Sequence, residues 1–264
     1  MSIILDERKW AEYMDMYPDI SKKPLETLSR MSRYYTYLGC TKAETRKRLE
    51  GFLVRCPSSV TAKDGQDMID AAIKYGAKAK LFIMDGVEVT KPEMEIIDSL
   101  GGRQLRRLAF TLLCLSKYLN ARRKKDDYWV STPDNEIMTM ANIKTSVKRQ
   151  SLLYNKLREE GLIRFSHKVD DLSVQVLFAK DGERALWVSD FRNLGYQYLM
   201  YHGEPYFVCE ACGITEKMTT DGTSRRRPRK YCDECAVKIR TRQNVESVMR
   251  SRSRQRVSSS QLQF

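Results

Sequence analysis

Four cysteines occur as two matched pairs, Cys209-Glu-Ala-Cys212 and Cys232-Asp-Glu-Cys235, separated by nineteen residues. A C-x-x-C knuckle directs two thiolates at one point, and two knuckles at this spacing form the pattern of a tetrahedral four-cysteine site. Zinc suits it, with metal–sulfur distances of about 2.3 Å. Gly213 follows the first pair, where the backbone must bend toward the sulfurs. Tyr231 precedes the second, where its ring can cover the site. Cysteine fills every position, so none stays open for water or substrate, and the expected cofactor is one structural Zn2+. A disulfide and a redox C-x-x-C compete with this reading. The N-terminus has no basic stretch followed by an apolar run, which argues against a secreted, oxidised protein, and the matching of two knuckles argues against a redox motif. Iron in a rubredoxin-like site stays open. Cys40, Cys56 and Cys114 lie in apolar helical settings and read as small core residues.

The second chemical signal is charge. The chain carries a formal +13 over 264 residues. Residues 225–264 hold twelve Lys and Arg against three Asp and Glu, a net of +9, which leaves +4 for the first 224. A basic arm of this kind attracts polyanions, of which the phosphate backbone is the commonest. Between the knuckles lie Arg225, Arg226, Arg227, Arg229 and Lys230. After them a helix is expected from 236 to 249 with Lys238, Arg240 and Arg242. A metal-stiffened platform would then present a basic loop and a basic helix together.

A third signal lies in residues 103–179. An amphipathic segment over 103–120 places Leu105, Leu108, Ala109, Leu112, Leu115 and Leu119 on its core face. A second helix is expected with Thr132 as N-cap, Pro133 in its first position, and Ile137, Met140 and Ala141 inward. A short turn at Asn142-Ile143-Lys144 leads to a third helix over 147–160, capped by Thr145 or Ser146 and stopped at Gly161. Alternating residues then make a hairpin through Ile163 and Phe165, a turn at Val169-Asp170-Asp171, and a return through Val174, Val176 and Phe178. This is the order of a winged helix-turn-helix, and Leu157-Arg-Glu-Glu-Gly-Leu-Ile-Arg164 resembles the end of the recognition helix in that superfamily. On the third helix Ile143, Val147, Leu153, Tyr154 and Leu157 cluster on one side. Lys148, Arg149, Asn155 and Lys156 lie on the other, with Thr145 near the start and Lys168 in the wing. Lys and Arg reach phosphates or guanine edges and Asn reads adenine, so this face suits a major groove. Leu152 also falls outward, which fits a thymine methyl or a protein partner better than a purely polar surface.

The first hundred residues read as helical. Apolar spacing marks 5–16. Leu25, Leu28, Met31, Tyr34, Tyr35 and Leu38 mark the core face of a helix from Pro24. Thr41 with Glu44 forms a capping box before Leu49, Phe52 and Leu53. Asp64 or Asp67 opens a further helix, Phe82 to Val87 reads as a short strand and turn, and Thr90 caps a helix with Pro92 in its first turn. The expected fold class is therefore mainly α with small β: an N-terminal helical region over 1–100, a winged helix-turn-helix domain over 101–200, a four-cysteine zinc ribbon or knuckle over 201–249, and a basic disordered tail over 250–264. Serine and arginine alternate in that tail and cannot bury a core.

Signals for catalysis are weak. The two histidines, His167 and His202, have no adjacent nucleophile–carboxylate arrangement, and no phosphate-binding glycine loop is present. No apolar run reaches about 18 residues, so no membrane partner is expected. Residues 30–240 resemble uncharacterised phage and mobile-element proteins that carry a winged helix and a terminal C-x-x-C pair. The resemblance rests on Arg103-Gln-Leu-Arg-Arg-Leu-Ala-Phe-Thr-Leu-Leu-Cys114, Asp134-Asn-Glu-Ile-Met138, Lys148-Arg-Gln-Ser-Leu152 and Asp190-Phe-Arg-Asn-Leu-Gly-Tyr-Gln-Tyr198. It implies a phage or integrated-element origin and supplies no established activity; the lack of a secretory signal in the N-terminal residues sets the expected place as the host-cell cytoplasm. The expected function is non-enzymatic binding of nucleic acid, DNA before RNA, in transcription control or replication. The competing expectation is a protein-interaction inhibitor of a host defence complex such as a nucleic-acid-guided nuclease.

Overall fold

The computed structural model describes residues 3–20, 23–56, 62–77, 80–167, 173–218 and 229–260. It is mainly helical, with small antiparallel sheets. The chain forms two compact units, Met1–Val87 with Tyr118–Asp126, and Glu88–Lys117 with Asp127–Phe264. The first unit breaks after Val87 and resumes at Tyr118, whereas the reading of the sequence draws its boundary at residue 100.

In the first unit, α1 (Glu7–Met16), α2 (Pro24–Tyr37), α3 (Lys42–Arg55) and α4 (Ala62–Gly76) pack around α2. Asp6 caps α1 by accepting the Arg8 and Lys9 N–H groups at 2.9 and 3.0 Å. Leu28, Met31 and Tyr35 of α2 meet Leu49 and Phe52 of α3 and Ile69 and Ala72 of α4 in one buried cluster. Each large apolar side chain there contributes about 1.5–3 kcal/mol by leaving water. The terminal members of the expected α2 stripe, Leu25 and Leu38, are exposed instead. Helix ends project past the neighbours that cover the middle turns, so periodicity overstates burial there. The capping box before α3 is present in both directions: the Glu44 N–H donates to Thr41 Oγ1 and the Thr41 N–H to Glu44 Oε2 at 2.8 Å. Thr41→Ala is expected to lower stability by about 1 kcal/mol. Urea unfolding with an unchanged m value would measure it, and an unchanged midpoint would contradict it.

The expected strand through Phe82 and Ile83 reduces to a single bridge, Asp6 to Ile83. The first strand proper is β1 (Val87–Thr90), followed by α5 (Lys91–Ser99) and α6 (Arg103–Arg123). Helix α6 belongs to the second unit up to Lys117. It is buried on more sides than an amphipathic pattern implies, since Phe110, Thr111, Leu113, Cys114 and Ser116 are covered as well as Leu105, Leu108, Leu112 and Leu115. It runs three residues beyond the expected end at 120, so that Arg122 and Arg123 form its last turn.

Next come β2 (Trp129–Val130), α7 (Asp134–Met140), α8 (Val147–Glu159), β3 (Ile163–Phe165) and β4 (Val174–Val176). Helix α7 starts one residue later than its sequence signals indicate, with Pro133 at the cap position and no side-chain cap. It buries Met138 rather than Met140 beside Ile137. Ser146 caps α8, its Oγ accepting the Arg149 N–H at 3.4 Å. Gly161 stops α8 at φ +71°, a backbone conformation that favours glycine. Strands β3 and β4 pair antiparallel in the register Ile163 to Val176 and Phe165 to Val174. Strand β2 adds to the other edge of β4, with Val130 opposite Val174. The expected turn at 169–171 lies outside the described residues.

The unit is completed by β5 (Arg184–Val188), which pairs with β1, then α9 (Leu194–Tyr201), the hairpin β6 (Tyr206–Val208) and β7 (Thr215–Lys217), and α10 (Asp233–Ser260). Helix α10 runs through the segment whose serine–arginine alternation predicts disorder. No glycine or proline interrupts 233–260, so nothing local terminates the helix. Among the described residues no helix is long and apolar enough to cross a membrane.

Candidate metal centre and basic surface

The β6–β7 hairpin carries the first knuckle in its loop, and the first turn of α10 carries the second. Register within the hairpin pairs Val208 with Thr215, so Cys209 leaves the ladder at a fixed place. The Cys209 N–H donates to Ile214 O and the Gly213 N–H to Cys209 O, both at 2.9 Å, which closes the knuckle. Gly213 sits at φ +77°, where a side chain would be strained. A third bond, from the Glu210 N–H to Lys230 O at 2.9 Å, ties the hairpin loop to the approach of the second knuckle.

The four sulfurs lie within 4.8 Å of one another. Cys212 Sγ and Cys232 Sγ are 3.7 Å apart. A disulfide requires about 2.05 Å. Four thiolates around one ion at about 2.3 Å stand about 3.8 Å apart, so the donor set fits a tetrahedral metal. Cys209, Cys232 and Cys235 are buried and Cys212 is half-buried, with Ile214 and Tyr231 packed against them. Burial pushes the Cys232 thiol up to about 11 and raises Cys235 further. Burial also opposes ionisation of Cys209, but backbone N–H groups around it, including those of Cys232, Cys212 and Ala211, bring it down to about 7. These four cysteines can therefore hold a metal ion, in a closed site.

The residues expected to meet nucleic acid are divided. Lys148, Arg149 and Lys156 are exposed on α8, Asn155 is half-buried, and the half-buried Thr145 uses its carbonyl to accept from Gln150 Nε2 at 3.2 Å. Leu153, Tyr154 and Leu157 are buried on the opposite side. Val147, placed inward by its spacing, is 77% exposed, because it opens the helix beyond the packed turns. Leu152 is 47% exposed, as its spacing indicates. Arg229 is turned into the metal module: its guanidinium lies 5.2 Å from the Phe207 ring, Nε donates to Tyr231 O at 3.0 Å, and it pairs with Asp233. Lys230 pairs with Glu210 at 3.2 Å and stays largely exposed. Lys168, Arg225, Arg226 and Arg227 lie outside the described residues.

Sequence reasoning missed the residues that join the metal module to the turn before α8. Arg192, paired with Asp190, donates to the Cys212 carbonyl. Asn193 Nδ2 donates to Thr215 O at 3.0 Å, and Asn142 Nδ2 donates to Asn193 Oδ1 at 2.8 Å. Both asparagines adopt positive φ, which asparagine tolerates better than most residues. Gly195 is needed here because a Cβ would stand 2.0 Å from Ala141 O. The only local signal for this junction is asparagine at two turns. His202 faces Asp98 at 3.0 Å, and the Tyr198 hydroxyl donates to the same carboxylate at 2.5 Å. Protein-family models, curated proteins and solved structures give no match to this chain.

Proposed function

We propose that the protein is a non-enzymatic, zinc-stabilised nucleic-acid-binding protein of a phage or mobile element, acting on double-stranded DNA in the host cytoplasm. The observation that carries this reading is α8. One face is buried in the unit, and the opposite face holds Lys148, Arg149 and Lys156 out to solvent. The order α6, β2, α7, α8, β3, β4, with β2 adding a third strand beside the hairpin, supports reading this region as a winged helix-turn-helix with α8 as recognition helix. In this reading Asn155 reads a base edge while the cations hold phosphates. The zinc module supplies a second basic element in α10, where Lys238 pairs with Glu234, Arg242 and Arg250 share Glu246, and Arg240 adds a further cation.

The double variant Lys148→Ala/Arg149→Ala is expected to lose about tenfold or more in duplex affinity at ~0.15 M salt. The slope of log K against log salt should become shallower by about 0.9 for each phosphate that the variant no longer neutralises. Fluorescence anisotropy across a salt series reads both. Parental affinity and slope would remove α8 from the interface.

A second reading rests on the exposed apolar pair Val147 and Leu152 on α8. They suit a protein partner, such as a host nucleic-acid-guided nuclease that the chain inhibits. Substituting Leu152 with serine separates the two: loss of a protein partner with duplex binding retained favours inhibition.

A further inference from the structure

The first unit takes no part in the function proposed above, yet it carries an open surface depression, here called the cavity, of about 600 Å³. This volume falls within the ~300–1,000 Å³ of small-molecule sites. Its charged lining is uneven. Lys23, Arg30 and Arg33 come from the approach to α2 and from α2 itself, and Arg122 from the end of α6. Against these four cations stand two carboxylates, Glu7 and Glu26, so the lining carries a surplus of two positive charges.

The carboxylates are committed. Glu7, almost fully buried, accepts from Arg33 through both oxygens at 2.6 and 3.3 Å and from the Phe82 N–H at 3.1 Å, and it stands 3.5 Å from Arg30 Nε. Glu26 takes the Arg30 Nη2 donor at 2.7 Å and faces Lys23 at 3.5 Å. Their effect is to hold two guanidinium forks in place at the cavity wall. Arg122 is held differently: Nη1 donates to the Tyr118 hydroxyl at 2.8 Å, and its guanidinium lies 5.9 Å from the Phe82 ring. Among the described residues no carboxylate pairs with it. Burial lowers the Arg30 guanidinium; Glu26 and Glu7 act against it, and Arg33 and Arg122 add a smaller lowering. By formal count the lining lacks two negative charges, which a dianion would supply. Guanidinium forks match phosphate oxygens in geometry. Tyr75, half exposed at the same cavity, offers a ring on which a base can stack.

We propose that this cavity binds a phosphomonoester dianion, the 5′-phosphate of a nucleotide or of a nucleic-acid strand end, with Arg122 as its principal donor. The ligand would then be distinct from the duplex assigned to α8. The 264-residue chain, metal-loaded, is titrated calorimetrically at ~0.15 M salt with a nucleoside 5′-monophosphate and with the same nucleoside lacking phosphate. In parallel, a labelled single-stranded oligonucleotide is compared with and without its 5′-phosphate, so that background attraction of the basic helix cancels. The expected result is binding of the phosphorylated member of at least one pair in preference to its partner. Preference in the first pair identifies a free nucleotide, and preference in the second alone identifies a strand end. Arg122→Ala should weaken that binding roughly tenfold or more, and the exposed Lys23→Gln should weaken it less. Circular dichroism confirms that both variants remain folded. The proposal is overturned if neither phosphorylated probe is preferred, or if both variants bind like the parent.

Discussion

The variant Cys232→Ser/Cys235→Ser is expected to retain no metal and to lose the fold of β6, β7 and the start of α10, while the N-terminal unit stays intact. Beyond the Arg192 and Asn193 hydrogen bonds and the Tyr196–Tyr206 ring contact to α9, the module has little core of its own. Its sheet is two strands of three residues, and its buried cluster consists of the cysteines with Ile214 and Tyr231. An isolated two-stranded hairpin is marginal in water at best. Metal binding to a site of this kind contributes about 10–16 kcal/mol at neutral pH, which is then folding free energy for the module. Serine offers no comparable ligand, so the loss should be all-or-none. Elemental analysis should find about one zinc per parental chain and none in the variant. Amide exchange should show protection lost across β6 and β7. A variant whose β6 and β7 amides stay protected would disprove the structural role of the metal.

The same site predicts a pH dependence. The Cys232 and Cys235 thiols are raised by burial, so without metal they hold their protons at neutral pH. The ion must displace those protons to bind. Loading therefore weakens as pH falls and strengthens as pH rises. Dye-monitored zinc release on acidification follows it.

The second large effect lies at Glu93, which has no exposed surface. Its Oε2 accepts the Thr90 N–H at 2.8 Å and faces Lys117 Nζ at 2.7 Å, and its Oε1 accepts the Lys180 N–H at 2.9 Å. Lys117 also donates to Glu88 O at 2.8 Å. One carboxylate thus joins the start of α5, the middle of α6 and the loop before β5. Lys117→Met keeps the apolar stem but leaves a buried carboxylate without its cation. The expected loss is about 3–5 kcal/mol of stability. Adding Glu93→Gln to Lys117→Met should recover part of it, because a neutral amide replaces the uncompensated charge. Denaturant unfolding of the single and double variants measures both terms. A loss below about 1 kcal/mol for Lys117→Met, the range of surface pairs, would contradict the assignment.

What could be read from the sequence was local. The two knuckles stand out because four identical ligand residues recur at a fixed spacing, and the structure gathers all four. Thr41 with Glu44, and Ser146 before α8, are signals that span one turn, and both cap as read. The failures are tertiary. Strand β2 has two residues and pairs with β4 some 45 positions later, so no periodicity announces it. Arg229 looks like a free cation in a basic run, but Phe207 and Asp233 claim it, and both contacts require the folded module. Val147, Leu25 and Leu38 satisfy helical spacing at helix ends that nothing covers. Glu93 is announced only as the third residue of a helix, and its burial depends on α6 and the loop before β5.

The most direct test of the central claim is a competition mobility shift of zinc-loaded protein with duplex DNA, single-stranded DNA and structured RNA at ~0.15 M salt with excess competitor. The account predicts that duplex DNA is bound in preference to the other two and that Lys148→Ala/Arg149→Ala removes this preference. Equal, weak binding to all three, unchanged by that variant, would contradict it and leave only a basic surface.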